Sequence, residues 1–305
     1  MLVSSAVMWL VRNSEQVVRI FSFSPLCFLS LIPMVVLSQL VIGLMNQLLA
    51  THLGAPLRFR QWVSLAFAST LANYILPMRA GAALRAGYLK HQCNLPFTRF
   101  ASAMAAVYII TLLSNAGVGI AVMLWFYARK SVFSPMLFGV FLGLAFVCAA
   151  LLFFPKKACK IRSERRIWTI VEKIYVGWDM LRACPGLLLR IAGLALILTG
   201  LFVLRLHVAF AAVGNPANMA GCLLIATLTA VSMFISITPA SLGTREAAIL
   251  FSGMAAGISP EACLLAGGVD RIVAILVAFV LGTFGSIGLA RETGKGLKFL
   301  LHKGR

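Results

Sequence analysis

Acidic residues are scarce in this chain of 305 residues: eight Asp and Glu stand against 27 Lys and Arg, a formal net charge of +19. An excess of that size has three usual causes, namely nucleic acid, anionic lipid or membrane topology. Cysteine is present seven times but always singly, with no CxxC pair, so neither a disulfide framework nor a zinc site is indicated. No HExxH, GxSxG, P-loop or DxD occurs, and His52, His91, His207 and His302 are isolated. No metal or cofactor is therefore expected, and the absent motifs argue against an enzyme. Long polar stretches are missing too. Hydrophobic residues make up 61% of the chain and the mean hydropathy is +0.97, which excludes a soluble protein. In such a chain the basic excess reads as topology, and nucleic acid is not an expected partner.

Apolar runs of spanning length lie near 22–49, 61–77, 100–127, 132–154, 187–213 and 218–237, followed by a broken region, 239–258, and a long run, 261–290. Arg12, Glu15 and Arg19 precede the first run, so no cleavable signal peptide is expected. The pattern predicts a single all-α domain over 1–305, a polytopic membrane bundle of about eight spans with Pro/Gly-broken helices. The basic connection 155–186 carries the most charge and is expected in the cytoplasm, as are the connection 79–99, both termini and the tail 291–305. The uncharged loop 214–218 is expected outside. An even number of crossings follows, reached if 239–258 crosses as a short broken helix or if 261–290 bends into two. Within 155–186, Ile167, Ile170, Val171, Ile174, Trp178 and Leu181 recur at helical spacing among charges. That pattern fits an interfacial helix on an anionic membrane surface, or a solvated linker helix.

Two places share one design. An apolar span ends at Pro77 or Pro239, a glycine follows four residues later at Gly81 or Gly243, and a small-residue helix, a turn and a long span come next. This suggests an internal repeat of about 160 residues, as in transporters whose halves build one site. At the second place Pro239 removes a backbone donor and Gly243 frees the chain, so a new helix is expected to start near Ser241 to Thr244, capped by their hydroxyls. Its open N–H groups and positive dipole end, beside Arg245, would attract an anion such as a lipid phosphate. Asp270 and Arg271 interrupt the last span, where unpaired charge costs several kcal/mol. Pairing across helices is expected, Glu246 with Arg271 or Arg245 with Asp270. The quartet forms either a functional polar cavity or a structural ion-pair lock. Arg79 and Arg85 sit where arginines also serve as topology markers, and Arg205 and His207 interrupt another span with no partner named by the sequence.

The stretches 74-YILPMRAGAALRAGYL-89 and 238-TPASLGTREAAIL-250, with Arg271 downstream, resemble the lysylphosphatidylglycerol synthase transmembrane-region family, the membrane half of the bacterial multiple peptide resistance factor. The resemblance covers roughly 20–290. Pro239, Leu242, Gly243, Arg245 and Glu246 match a motif of the form P-x-x-L-G-x-R-E, whereas Ala82 stands where many members carry an acidic residue. In two-domain relatives a soluble domain aminoacylates phosphatidylglycerol and the membrane domain flips the product. This chain ends about fifteen residues after its last span, so aminoacyl transfer is not expected. The resemblance implies a stand-alone translocase in the bacterial inner membrane, handling an anionic phospholipid, a glycolipid or a lipid-linked saccharide in envelope or polysaccharide biosynthesis. Its substrate-binding residues would be Arg245, Glu246, Asp270, Arg271, Ser241, Thr244, Arg79 and Arg85. The alternatives are a scaffold that recruits a biosynthetic enzyme through 155–186 and a membrane-embedded transferase.

Overall fold

A computed structural model describes residues 25–76, 80–130, 134–153, 184–235 and 238–303. Pro77, Arg79, nearly all of the connection 155–186 and the N-terminus lie outside the described residues. Nine α-helices, with no strand among the described residues, follow in order: α1 Pro25–His52, α2 Phe59–Ile75, α3 Ala80–Cys93, α4 Phe97–Lys130, α5 Pro135–Phe153, α6 Pro185–Ala212, α7 Met219–Ile235, α8 Thr244–Ala255 and α9 Pro260–Lys303, with a 3-10 turn at Pro239–Ser241 between α7 and α8. Four of them, α1, α4, α6 and α9, are long and apolar enough to cross a membrane. Their outer surfaces keep large apolar side chains exposed, among them Leu26, Leu29, Leu189, Phe279 and Phe284. Such a surface is stable only against lipid, where helices alone satisfy every backbone group.

The two halves of the chain repeat. Helices α1 and α6 are each 28 residues long, and α2 and α7 each 17. Their ends keep an offset of 160 (25 to 185, 52 to 212, 59 to 219, 75 to 235). The connecting loops match bond for bond. Gly54 and Gly214 both take positive φ, and the amides of Ala55 and Asn215 donate back to the carbonyls of Ala50 and Phe210 at 2.8 and 3.1 Å. That is a Schellman-type helix end with a proline, Pro56 or Pro216, one residue further on. The offset grows only after α2 and α7, because the second break, 236–243, is longer than the first.

Neither α3 nor α8 crosses. At 14 and 12 residues they measure about 21 and 18 Å, short of a hydrocarbon core of about 30 Å. Each folds back along its predecessor. A Cβ at Gly81, early in α3, would meet Ser69 and Asn73 late in α2, while Leu89, late in α3, shares a core with Leu57 and Leu65 at the other end of α2. Likewise Ala256, just past α8, lies near Gly221, early in α7, while Gly253, late in α8, is pressed against Cys263 of α9 and comes within ordinary contact of Ile225. Two hairpins, α2–α3 and α7–α8, thus enter the bundle and return to the face they came from.

One face of the bundle gathers Leu53, Leu57, Leu95, Leu187 and Leu289, and the opposite face gathers Phe28, Leu31, Val213, Ala217 and Ile258. Helix α1 runs from the second face to the first and α6 from the first to the second, so the halves are inverted, the arrangement that places a site at their junction. Three expectations change. The segment 239–258 does not cross, the run 261–290 stays within one continuous helix, and the first span begins on the face of the 213–218 loop rather than opposite to it. The physical reason is length: after Pro239 and Gly243 too few residues remain before Gly257 to reach the far side. Close packing replaces hydrophobic drive between helices in lipid. Along α9, Gly282, Gly285 and Gly288 lie flat on α2, where a Cβ at Gly285 would stand 2.7 Å from the Ser64 carbonyl.

Candidate functional site

The tip of the α7–α8 hairpin is a stretch of non-helical backbone, exposed at Thr238, Leu242 and Gly243, whose polar groups still pair within the protein. Helix α7 ends at Ile235, and Ala240 (φ 52°), Ser241 (φ 58°) and Gly243 (φ 87°) then turn left-handed before α8 starts. The Ser241 amide donates to Thr238 O at 3.2 Å, and the Thr238 hydroxyl to Leu242 O at 2.8 Å. The cap of α8 is not a hydroxyl, as expected of Ser241 and Thr244. The Gly243 amide donates instead to Glu246 Oε2 at 2.8 Å, while Thr244 Oγ1 donates to Ser241 O at 3.2 Å. A carboxylate three residues into the helix reaches the same orphan amide and suits the dipole.

Both charge pairings read from the sequence form. Arg271 donates to Glu246 and, at 3.0 Å, to Ala240 O, so this pair ties the tip to α9. Asp270 is 0% exposed. It accepts from Arg245 of α8 and, in a fork at 2.8 and 2.9 Å, from Arg205 of α6. Arg205 is the member of this cluster for which the sequence named no partner. Both guanidiniums also stand 5.4 Å from the Phe202 ring centroid. One fully desolvated carboxylate shared by two arginines leaves a net positive charge.

That charge faces a cavity of about 310 Å³ at the junction of the halves. Its wall includes Arg85 of α3, Arg205, Arg245 and Ser241, together with Gln39, Asn73, Tyr74 and Tyr108, and among the described residues no Asp or Glu contributes to it. In the first half Asn73 Oδ1 accepts the Gly81 amide at 2.9 Å, so a side chain secures each hairpin near its break. The two glycines paired by sequence are not equivalent: Gly243 supplies positive φ before its helix, whereas Gly81 lies inside one, where a Cβ would fall 2.1 Å from Ser69 O.

Of the candidate residues, Arg85, Arg245 and Ser241 line the cavity, and Asp270 is buried in ion pairs with two of its arginines. Glu246 and Arg271 brace the break, and Thr244 bonds within it. His207 leaves the cavity alone; its Nδ1 lies 3.1 Å from Ala217 O, against the inter-helix loop. Sequence reading missed the hydroxyl and carboxamide wall of Thr70, Thr111, Asn115, Thr199 and Thr229. Its signal was present in Thr111 and Asn115, four apart on one face of an otherwise apolar helix.

Long apolar helices, lipid-ready outer surfaces and an internal polar cavity define a polytopic helical membrane protein. The chain belongs to the lysylphosphatidylglycerol synthase TM region family, whose model matches residues 1–282, and this ties it to membrane lipid. No curated protein and no solved structure matches the chain.

Proposed function

We propose that this protein is a lipid translocase whose cavity takes the anionic headgroup of a phospholipid, glycolipid or lipid-linked saccharide while the acyl chains stay in the bilayer. The observation that carries this reading is the placement of Arg85, Arg205 and Arg245 on one cavity between inverted halves, with no carboxylate on its wall among the described residues. Guanidinium groups in a low-dielectric site bind phosphate through charge-assisted hydrogen bonds. The broken helices add their positive ends to the same region. Arg58, Arg60, Lys90, Arg99 and Arg291 cluster toward the first face, which we assign to the cytoplasm of a bacterial inner membrane. Glu246 and Arg271 hold the geometry of the tip rather than the headgroup.

The test is movement of tail-labelled phosphatidylglycerol in proteoliposomes of wild type, Arg85→Gln and Arg245→Gln, with monodispersity and thermal unfolding recorded for each. Wild type is expected to move the lipid and each folded variant to slow it at least about tenfold, the loss of one charged hydrogen bond in the crossing state. A wild type that moves none of a panel of anionic lipids, or folded variants as fast as wild type, would refute the reading.

A further inference from the structure

Among the described residues that line the cavity, Met233 and Thr238 are the exposed ones, whereas Arg205, Arg245 and Ser241 on the same wall are buried. Met233 stands in the last turn of α7 with 43% of its surface open, and Thr238 lies just beyond that helix. From Met219 to Met233 α7 rises about 21 Å, and from Phe59 to Tyr74, also on the wall, α2 rises about 23 Å. The two helices start on opposite faces, so both points fall inside a hydrocarbon core of about 30 Å. The cavity therefore meets the outside of the bundle in its flank, at membrane depth. The two hairpin ends come together there, since the Pro239–Ser241 turn packs against α2.

The rim suits hydrocarbon. Ile75 and Leu76 close α2 and Leu242 follows the turn, and all three are exposed. The tip's polar groups are turned inward: the Thr238 hydroxyl donates to Leu242 O at 2.8 Å, the Ser241 amide to Thr238 O at 3.2 Å and the Gly243 amide to Glu246 Oε2 at 2.8 Å. Backbone satisfied within the protein is what a tip at this depth requires. Behind the rim the wall changes character. Among the described residues Arg205 and Arg245 share one carboxylate, Asp270, which leaves a net positive charge. A free anion entering from the flank would first shed its hydration into hydrocarbon, at a large cost. An amphiphile brings only its headgroup to the arginines and leaves its chains where they already are.

We infer that the gap at Met233 and Thr238 is a side mouth through which the acyl chains of a lipid leave the cavity at mid-depth while its phosphate sits by Arg205 and Arg245. This rests on the reading of the cavity as a headgroup site and adds where the chains run. The test is photo-crosslinking of the full chain in phosphatidylcholine nanodiscs with phosphatidylglycerol that carries a diazirine midway along one acyl chain, the adducts being mapped by mass spectrometry. Adducts at Met233 and Thr238 are expected to fall at least about fivefold when unlabelled phosphatidylglycerol is in tenfold excess, by mass action at one site. Adducts at Phe284, on the outer surface, should not change. In folded Arg245→Gln the adducts at the mouth should fall and those at Phe284 persist. Met233→Trp, which fills the gap, should slow lipid movement in proteoliposomes at least about fivefold, whereas Phe284→Trp should not. Adducts at the mouth no more displaceable than those at Phe284, or a folded Met233→Trp protein as fast as wild type, would overturn the mouth. Displacement by free glycerol phosphate at the same concentration would also overturn it, because the ligand would then be a soluble anion. Displaceable adducts at the mouth with no movement of any anionic lipid would uphold the mouth and refute translocation, and movement without such adducts would do the converse.

Discussion

Replacing Asp270 by Asn changes one atom at the centre of the bundle and removes the only negative charge that, among the described residues, is bonded to Arg205 and Arg245. The side chains of those arginines are 9% and 10% exposed and that of Asp270 is 0%, so water does not screen the change. Asparagine keeps one acceptor oxygen and turns its amide toward a guanidinium, donor against donor. Breaking a buried pair in this way costs about 3–5 kcal/mol, because the partner charge is left uncompensated. Arg205→Met is a smaller perturbation. It forfeits the two hydrogen bonds of the fork, about 1.5–3 kcal/mol each before the side chains relax, but leaves Asp270 neutralised by Arg245 and uncovers no unpaired charge. In the double variant Asp270→Asn/Arg205→Met a single guanidinium remains, and it borders the polar cavity. The double variant should therefore lose less than the sum of the singles, by a coupling of about 0.5–3 kcal/mol. Unfolding by SDS titration in mixed micelles, followed by tryptophan fluorescence and circular dichroism, gives all four corners of the cycle. A loss below about 1 kcal/mol for Asp270→Asn, or an additive cycle, would refute a desolvated carboxylate holding α6, α8 and α9 together.

Three further outcomes follow from the fold. In a chain freed of native cysteines, Gly221→Cys with Ala256→Cys should form a disulfide on mild oxidation in membranes, since a Cβ at 221 stands 3.4 Å from that of Ala256; no cross-link would mean that α8 does not return beside α7. Gly81→Val should destabilise by at least about 1–3 kcal/mol in the same SDS titration, because its Cβ would fall 2.1 Å from the Ser69 carbonyl; a stability equal to wild type would refute the close approach of α3 to α2. Glu246→Gln should keep an acceptor for the Gly243 amide and lose only the charge toward Arg271, whereas Glu246→Ala loses both; the alanine variant should be less stable by about 1 kcal/mol, and equal stabilities would show that the cap contributes nothing.

Much of this was legible in the chain. Except for α9, which runs on through the expected tail to Lys303, the apolar runs lie within about three residues of the spanning helices' ends, because a span in lipid can only be helical and its length is dictated by the bilayer. Pro239 and Gly243 marked the break, since one lacks a donor and the other tolerates positive φ. The pairings of Glu246 with Arg271 and of Arg245 with Asp270 were readable because isolated charges in such surroundings require partners. The capping hydroxyls were misjudged: Ser241 and Glu246 are both plausible caps in one dimension, and the left-handed turn at Ala240 and Ser241 decides which can reach the amide.

What the sequence determined by itself is local: which segments are helical, where the backbone must break, and that its few buried charges must be neutralised. Direction was left to the tertiary structure. Whether a short helix after a break continues across or folds back depends on which neighbour it packs against: Gly81 lies against Ser69 of α2, and Ala256, just past α8, lies beside Gly221 of α7. Arg205 found Asp270 for the same reason, 65 residues away along the chain and adjacent only once α6 lies beside α9. The cavity, too, is a property of two inverted halves meeting, and no window of the chain contains it.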